Sequence, residues 1–483
     1  MPPYVATAFC AVFIAGLFWL GREKKNGSSA ALWIPVIWLS LAASRSASQW
    51  LNWGSPMSSN DVVLEGNLLD RIVYGTLLTA GLIVLVTRAK AVAKLLRANA
   101  AVLIFLLYCA VSVLWSEFPD VAFKRWCKAI GDLVMVLVVW TEIDPMVAIR
   151  QFLGRPTYVL MPVSVLLMKY YPAMGRTYGR WFGEVHYTGV TTNKNTLGAI
   201  CLVFGLGTLW RLLALYRNRK QAGRTRLLIA SGVILAVILW LLWMAESMTS
   251  WVCFIMGSVL ILSLNLQSFA RKPRIVHFII AGMLVACVAV LFFGVSPAVL
   301  SAMGRSSTLT DRTEIWPLLV GLCKNPLIGT GFGSFWVGPR LTNIWSVYEW
   351  KPNQAHNGYL EVYLNLGWTG VVLLAVVLVT GYRHVFAYRR KTPVGNLLLA
   401  YFVAGVAYNF TEAAFFQMLS PVWIVVLLAL VGHSFGARTQ SAVTSAGNWG
   451  SRGREELQNG GNPEREEADQ RWRRYAEIPK SLI

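Results

Sequence analysis

The stretch LLIASGVILAVILWLLWM, residues 227–244, contains neither a charged side chain nor a proline. As an α-helix it would be roughly 27 Å long, close to the hydrocarbon thickness of a bilayer. Lipid offers no partner for backbone N–H and C=O groups, so such a run must bond within itself and be a helix. Working outward, comparable runs recur at 4–20, 29–43, 68–87, 99–115, 129–145, 149–169, 196–213, 249–266, 275–295, 358–382, 395–411 and 420–436. One soluble core cannot absorb so many. The pattern predicts an all-α polytopic transmembrane helix bundle of about 12–13 spans. Composition agrees: 56% of the 483 residues are hydrophobic and 14% are charged, against about 25% charged in soluble domains.

A net charge of +21 would suggest nucleic acid in a soluble protein. Here the Lys and Arg residues cluster between apolar runs, at 22–25, 88–97, 211–226, 271–274 and 383–391. One orientation puts every cluster in the cytoplasm, with the N-terminus outside, and no nucleic-acid partner is expected. The run from Tyr4 to Leu20 has its basic residues after it, which reads as a first span rather than a signal peptide. The expected organisation is transmembrane helices 1–10 over 1–295, a large periplasmic loop over 296–357, helices 11–13 over 358–436, and a disordered cytoplasmic tail over 437–483. The seven cysteines are scattered without metal-ligand spacing and read as small buried hydrophobes.

The chemistry should lie where charge defies that orientation. Outward connections hold Arg176, Arg180 and Lys194, then Arg305, Arg312, Lys324, Arg340 and Lys351, with Lys124, Arg125 and Lys128 in a third. Solvated loop charge or snorkelling explains any one of them. As a set they suit a phosphate or pyrophosphate, which guanidinium forks bind bidentately. His277, His384 and His433 fall at cytoplasmic ends, whereas His186 and His356 face outward. His356, in Asn353-Gln354-Ala355-His356-Asn357-Gly358-Tyr359, stands where the long loop re-enters the membrane. A neutral imidazole there can take a proton from an incoming hydroxyl, or simply bond the helix start. No metal site is expected, because the outward loops lack paired carboxylates. Asp311, Glu314 and Glu349 read as partners for neighbouring arginines, and Glu184 as a weak member of the His186 cluster. Glu246 and Glu412 are carboxylates near span ends, which a proton-coupled transporter would use.

Several of these stretches resemble the O-antigen ligase and polymerase superfamily. Gly189-Val-Thr-Thr-Asn193-Lys194-Asn195-Thr-Leu-Gly198 is similar to its N-x-N-x-x-G entry helix, and Thr310-Asp311-Arg312-Thr313-Glu314-Ile315-Trp316 to its GR-x-x-x-W element, with Asp311 where glycine is common. Asn325-Pro-Leu-Ile-Gly329-Thr-Gly331-Phe-Gly333 and Ala355-His356-Asn357-Gly358-Tyr-Leu-Glu361 resemble its NPLxGxGxG and HNxxLE elements. Glu65-Gly66-Asn67 with Asp70-Arg71, and Trp115-Ser-Glu117 before Lys124-Arg125-Trp126, look like the exopolysaccharide (succinoglycan-type) polymerase branch. The resemblance spans about residues 30–436.

It implies a metal-independent, inverting glycosyltransferase without cofactor, using an undecaprenyl-pyrophosphate-linked oligosaccharide at the periplasmic face of the bacterial inner membrane. By the same resemblance His356 is the catalytic base. Arg312, Arg305 and Lys194, with Arg176 or Arg180, would hold the donor pyrophosphate, and Asn193, Asn195, Asn357 and Trp316 would support the site. The expected activity is a polysaccharide polymerase. The alternatives are an O-antigen ligase that transfers the glycan to lipid A–core and, in another class, a transporter or flippase of the lipid-linked oligosaccharide. Membrane lipid, a chain-length regulator and a flippase are the expected partners.

Overall fold

The computed structural model describes residues 1–22, 28–52, 67–178, 183–266, 272–289, 314–348 and 350–432. Arg180, Arg305, Arg312, Asp311 and Glu349, the first part of the long loop and the predicted tail lie outside the described residues.

The elements in chain order are α1 (Pro3–Leu20), α2 (Trp33–Ala42), α3 (Leu68–Thr87), α4 (Ala89–Ala98), α5 (Ala100–Val111), α6 (Pro119–Trp140) and α7 (Pro145–Tyr170). A small antiparallel pair follows, β1 (Arg176–Tyr178) with β2 (Val185–Tyr187), Thr177 opposite His186. Then come α8 (Lys194–Arg217), α9 (Arg224–Ala245), α10 (Met248–Asn265), α11 (Pro273–Val288), α12 (Trp316–Gly321), α13 (Gly338–Val347), α14 (Gly358–Tyr388), α15 (Gly395–Tyr408) and α16 (Pro421–Val431). The fold is an all-α polytopic bundle, and the chain is a multi-pass membrane protein.

Every apolar run predicted from sequence overlaps one of these helices. Among the described residues six of them, α1, α3, α8, α9, α10 and α14, are long and apolar enough to cross a membrane. A seventh results if α4 and the helix from Ala100 to Trp115, bent by 89° at Asn99, form one span. The difference from twelve or thirteen has physical causes. Helix α6 carries Asp120, Lys124, Arg125, Lys128 and Asp132, and α7 carries Arg150, Arg155 and Lys169. Helix α15 is apolar but short, and α11 and α16 run up to the edge of the described residues.

Helix α16 is the innermost element, apolar on all sides and buried at all of its residues, as a helix enclosed by other helices must be. By contrast α1 and α3 are only 17% buried and turn most of their surface outward. Two buried carboxylates tie elements together. Glu142 accepts from the Ser29 backbone N–H (2.6 Å), the Ser29 hydroxyl (2.7 Å) and Arg88 (2.9 Å). Asp132 accepts from Trp38 Nε1 (2.8 Å) and the Leu419 N–H (3.2 Å), fixing the segment before α16 against α2 and α6.

Helix α14 is broken at Gly367, whose φ is 64° and ψ −166°. The orphaned backbone groups are satisfied by Asn325–Gly331. Trp368 N–H and Thr369 N–H donate to the Pro326 and Leu327 carbonyls (2.8 and 3.1 Å). In return the Leu364 and Asn365 carbonyls accept from Thr330 and Gly331 N–H (3.2 and 2.8 Å). The two strands of backbone are so close that glycine is obligatory on both: a Cβ at Gly329 would lie 2.4 Å from Asn365 backbone, and one at Gly367 2.3 Å from Leu327 backbone. The Asn325–Gly333 element is therefore a plug that completes a broken helix. Around it, Ile315, Leu319, Phe335, Leu341 and Ile344 form a small apolar core that holds the described part of the long loop together.

Candidate functional site

The chain enters α14 through His356-Asn357-Gly358, and each residue has a different local task. The Asn357 side chain accepts from Tyr359 and Leu360 N–H (both 3.0 Å), capping the helix. Gly358 sits where a Cβ would fall 1.9 Å from Asn409 Oδ1, and its N–H donates to the Asn409 carbonyl at 2.9 Å. Asn409 in turn accepts from Ala414 and Phe415 N–H (2.8 Å each) and so shapes the turn that contains Glu412. His356 adopts φ 50°, the left-handed region, which is strained for a side chain with a Cβ and persists only when its surroundings enforce it.

The outcome is a His–Glu pair. His356 Nδ1 lies 3.0 Å from Glu412 Oε2, and Asn195 Nδ2 donates to Glu412 Oε1 at 3.1 Å. The side chains are 14% and 5% exposed. A carboxylate can only accept, so the proton of the neutral imidazole belongs on Nδ1, and Nε2 is left with its lone pair. Gln354 Nε2 lies 3.3 Å from the same Nδ1, and Trp316 Nε1 donates to the Ala355 carbonyl at 2.9 Å, bracing the segment from the other side.

Beside this pair opens a cavity of about 1150 Å³. Gln354, Ala413 and Thr192 are on its wall, each within three residues of His356, Glu412 or Asn195. Aromatic rings, among them Trp38, Tyr74, Trp336, Trp345 and Phe415, share the wall with Asn and Gln side chains and with Arg45, Arg71, Lys124, Arg125 and Lys128.

Comparison with known proteins bears on this region. Residues 233–375 match the family model described as O-antigen ligase, a stretch that includes the helix plug, His356 and the break at Gly367. That stretch is similar to O-antigen ligases. It is also 25% identical over 302 residues to the exopolysaccharide production protein ExoQ of Rhizobium meliloti (strain 1021), a match covering 58% of this chain and 63% of that protein. The resemblance read from the motifs to the ligase superfamily, on its exopolysaccharide-production side, is thus met by both comparisons.

The structure gathers some of the predicted site residues and leaves others apart. His356, Asn195 and Asn357 come together around Glu412 and Asn409. Asn193 is the N-cap of α8, accepting from Thr196 N–H at 2.8 Å. Arg176 Nε donates to the Met168 carbonyl (2.8 Å) and its guanidinium lies over the Tyr187 ring, while Lys194 stands 3.9 Å from Glu246. Neither cation is on the cavity wall. His186 has no hydrogen-bond partner at Nδ1. Burial, with Lys194 adding, holds its imidazole below the ordinary range against the opposing pull of Glu184 and Glu246. Sequence reasoning missed two things: Glu412 as partner of His356, and Arg45 as part of the basic wall.

Proposed function

We propose that this chain is a polysaccharide polymerase, a glycosyltransferase that joins undecaprenyl-pyrophosphate-linked repeat units at the periplasmic face of the bacterial inner membrane. The observation that carries the reading is the His356–Glu412 pair: one ring nitrogen is committed to a buried carboxylate and the other is left basic, beside a cavity that is both aromatic and cationic. In the reaction the acceptor hydroxyl gives its proton to His356 Nε2 as its oxygen attacks the anomeric carbon from the face opposite the leaving group. The bond from that carbon to the pyrophosphate oxygen breaks, inverting the configuration, and the electron pair departs on undecaprenyl pyrophosphate. Glu412 stabilises the imidazolium that forms.

Pyrophosphate is a good leaving group, and fixed cations stabilise its developing charge. Arg176 and Lys194, with Arg180, Arg305 and Arg312, are the residues proposed for that task, and no metal is assigned a part. Asn195, Asn357 and Trp316 act by holding the His356 segment and its carboxylate in place. A flippase and a chain-length regulator are the proposed working partners.

The test is the glycan output of a deletion strain complemented with His356→Ala, at matched protein level in the membrane. Accumulated lipid-linked single repeat units without long polymer are expected. Unaltered polymer would remove His356 as the base. Transfer of the glycan onto purified lipid A–core by the wild-type protein would replace polymerase with ligase.

A further inference from the structure

The cavity wall carries more positive charge than its own residues neutralise. Among the described residues Arg45, Arg71, Lys124, Arg125 and Lys128 line it, and none of the five makes an ion pair. The two carboxylates on the same wall do not balance them: Asp70 acts on Lys128 and Glu361 on Arg125, which leaves cations in excess by five to two. Asp70 accepts from the Ser48 N–H (2.9 Å) and hydroxyl (2.7 Å), and Glu361 accepts from Trp336 Nε1 (2.9 Å) and Asn365 Nδ2 (3.4 Å). Arg45 and Arg125 are held by neutral partners, the carbonyls of Met174, Gly189 and Gly333, which fix their position and leave their charge. Lys124 and Lys128 lie one helical turn apart on α6, and Lys128 is over the Tyr74 ring at 5.8 Å.

These cations are interleaved with groups suited to sugar hydroxyls. Asn67 stands one turn before Arg71 at the start of α3, and Gln49, Asn52 and Gln417 share the wall. Amides that read hydroxyls and rings that stack on sugar faces mark this as a saccharide surface. Closing it over a neutral glycan would strip water from several cations and give no counter-charge in return. From a wall on which cations outnumber carboxylates five to two beside amides and rings, we infer that the cavity selects a glycan that carries its own negative charge, a carboxylate or acidic ester on the sugars themselves. The inference rests on the cavity being where the transferase reading has the glycan handled.

The experiment measures binding rather than turnover. Quenching of tryptophan fluorescence in the purified full chain is followed with a glucuronic-acid-containing tetrasaccharide, its carboxyl-reduced form and inorganic pyrophosphate, none of them lipid-linked. The acidic tetrasaccharide should bind at least about tenfold more tightly than the reduced one, with the preference falling as salt rises. Lys124→Gln combined with Lys128→Gln should erase the preference, and Arg71→Gln, on a different helix, should reduce it; unchanged Tm and monodisperse elution establish that the variants are folded. Equal binding of the two tetrasaccharides by the wild-type protein overturns the inference. So does a result in which only pyrophosphate binds and only its binding is weakened by the substitutions, since the cations would then serve the lipid-linked phosphate. An intact preference in a protein that transfers no sugar would overturn the transferase reading alone.

Discussion

Glu142 and Glu412 are both buried glutamates near helix ends, and they are put to opposite uses. Glu142 is surrounded by donors that never change: the backbone N–H and hydroxyl of Ser29 and the Arg88 guanidinium, from two separate stretches of chain. All its capacity goes into holding α2, α3 and α6 together. Glu412 has one oxygen on Asn195 and the other on an imidazole. The imidazole is the only one of these partners that can gain a proton, and its second nitrogen is left over. A carboxylate ringed by fixed donors is a staple, whereas a carboxylate facing a titratable ring can share in a proton transfer.

Substitutions can break this contrast, and the largest effect should come from His356→Ala. Loss of a general base costs about 10²–10⁴ in rate, so turnover in a reconstituted polymer assay should collapse while Tm hardly moves. Glu142→Ala should do the reverse. It leaves Arg88 without its counterion and destabilises by about 3 kcal/mol, read as a lower Tm with turnover per folded molecule unchanged. Equal loss of activity in both variants would end the distinction between staple and site.

Glu412→Gln is the sharper test, because the amide can still accept from Nδ1–H but cannot stabilise an imidazolium. A fall of about tenfold to a hundredfold in turnover is expected, roughly 1.4–2.8 kcal/mol, with Glu412→Asp partly restoring it. An inert Glu412→Gln would make this glutamate a second staple. The smallest effect concerns an exposed carboxylate. Burial pushes Glu117 up, but Lys324 and Arg340, at 3.1 and 2.7 Å, outweigh it and hold its carboxyl below the ordinary 4.5. A lowered acid stabilises above its unfolded value and loses that contribution as pH falls through the folded one. The Tm advantage of wild type over Glu117→Gln should therefore be present at neutral pH and be lost as pH falls below the ordinary 4.5 and through the lower folded value. With the side chain 40% exposed, it should be worth less than about 1 kcal/mol.

The helices were legible because lipid imposes length and apolarity on each segment separately, so LLIASGVILAVILWLLWM declares itself without reference to any other part of the chain. The His356-Asn357-Gly358 entry was legible for the same reason: a cap, a turn and a helix start are local. Glu412 was visible as a carboxylate near a span end, yet its partnership with His356 joins residues 56 positions apart through Asn409. Nothing periodic marks such a pairing. The charges of α6 were seen as outward-facing, but only packing brings Lys124 and Lys128 to the same wall as Arg45 and Arg71. Gly367 escaped notice because a glycine within an apolar run resembles any other small residue there, and the loop that mends the break begins some forty residues earlier.

That mended break makes the shape of α14 conditional. With the chain broken at Gly367, the amides of Trp368 and Thr369 have no acceptor in their own helix, and the Leu364 and Asn365 carbonyls that would serve them accept from Thr330 and Gly331. Only the previously synthesised Asn325–Gly331 stretch can supply both halves of the exchange. The broken form of α14 thus depends on the docking of an earlier loop, and His356, the proposed base, stands eleven residues before the break.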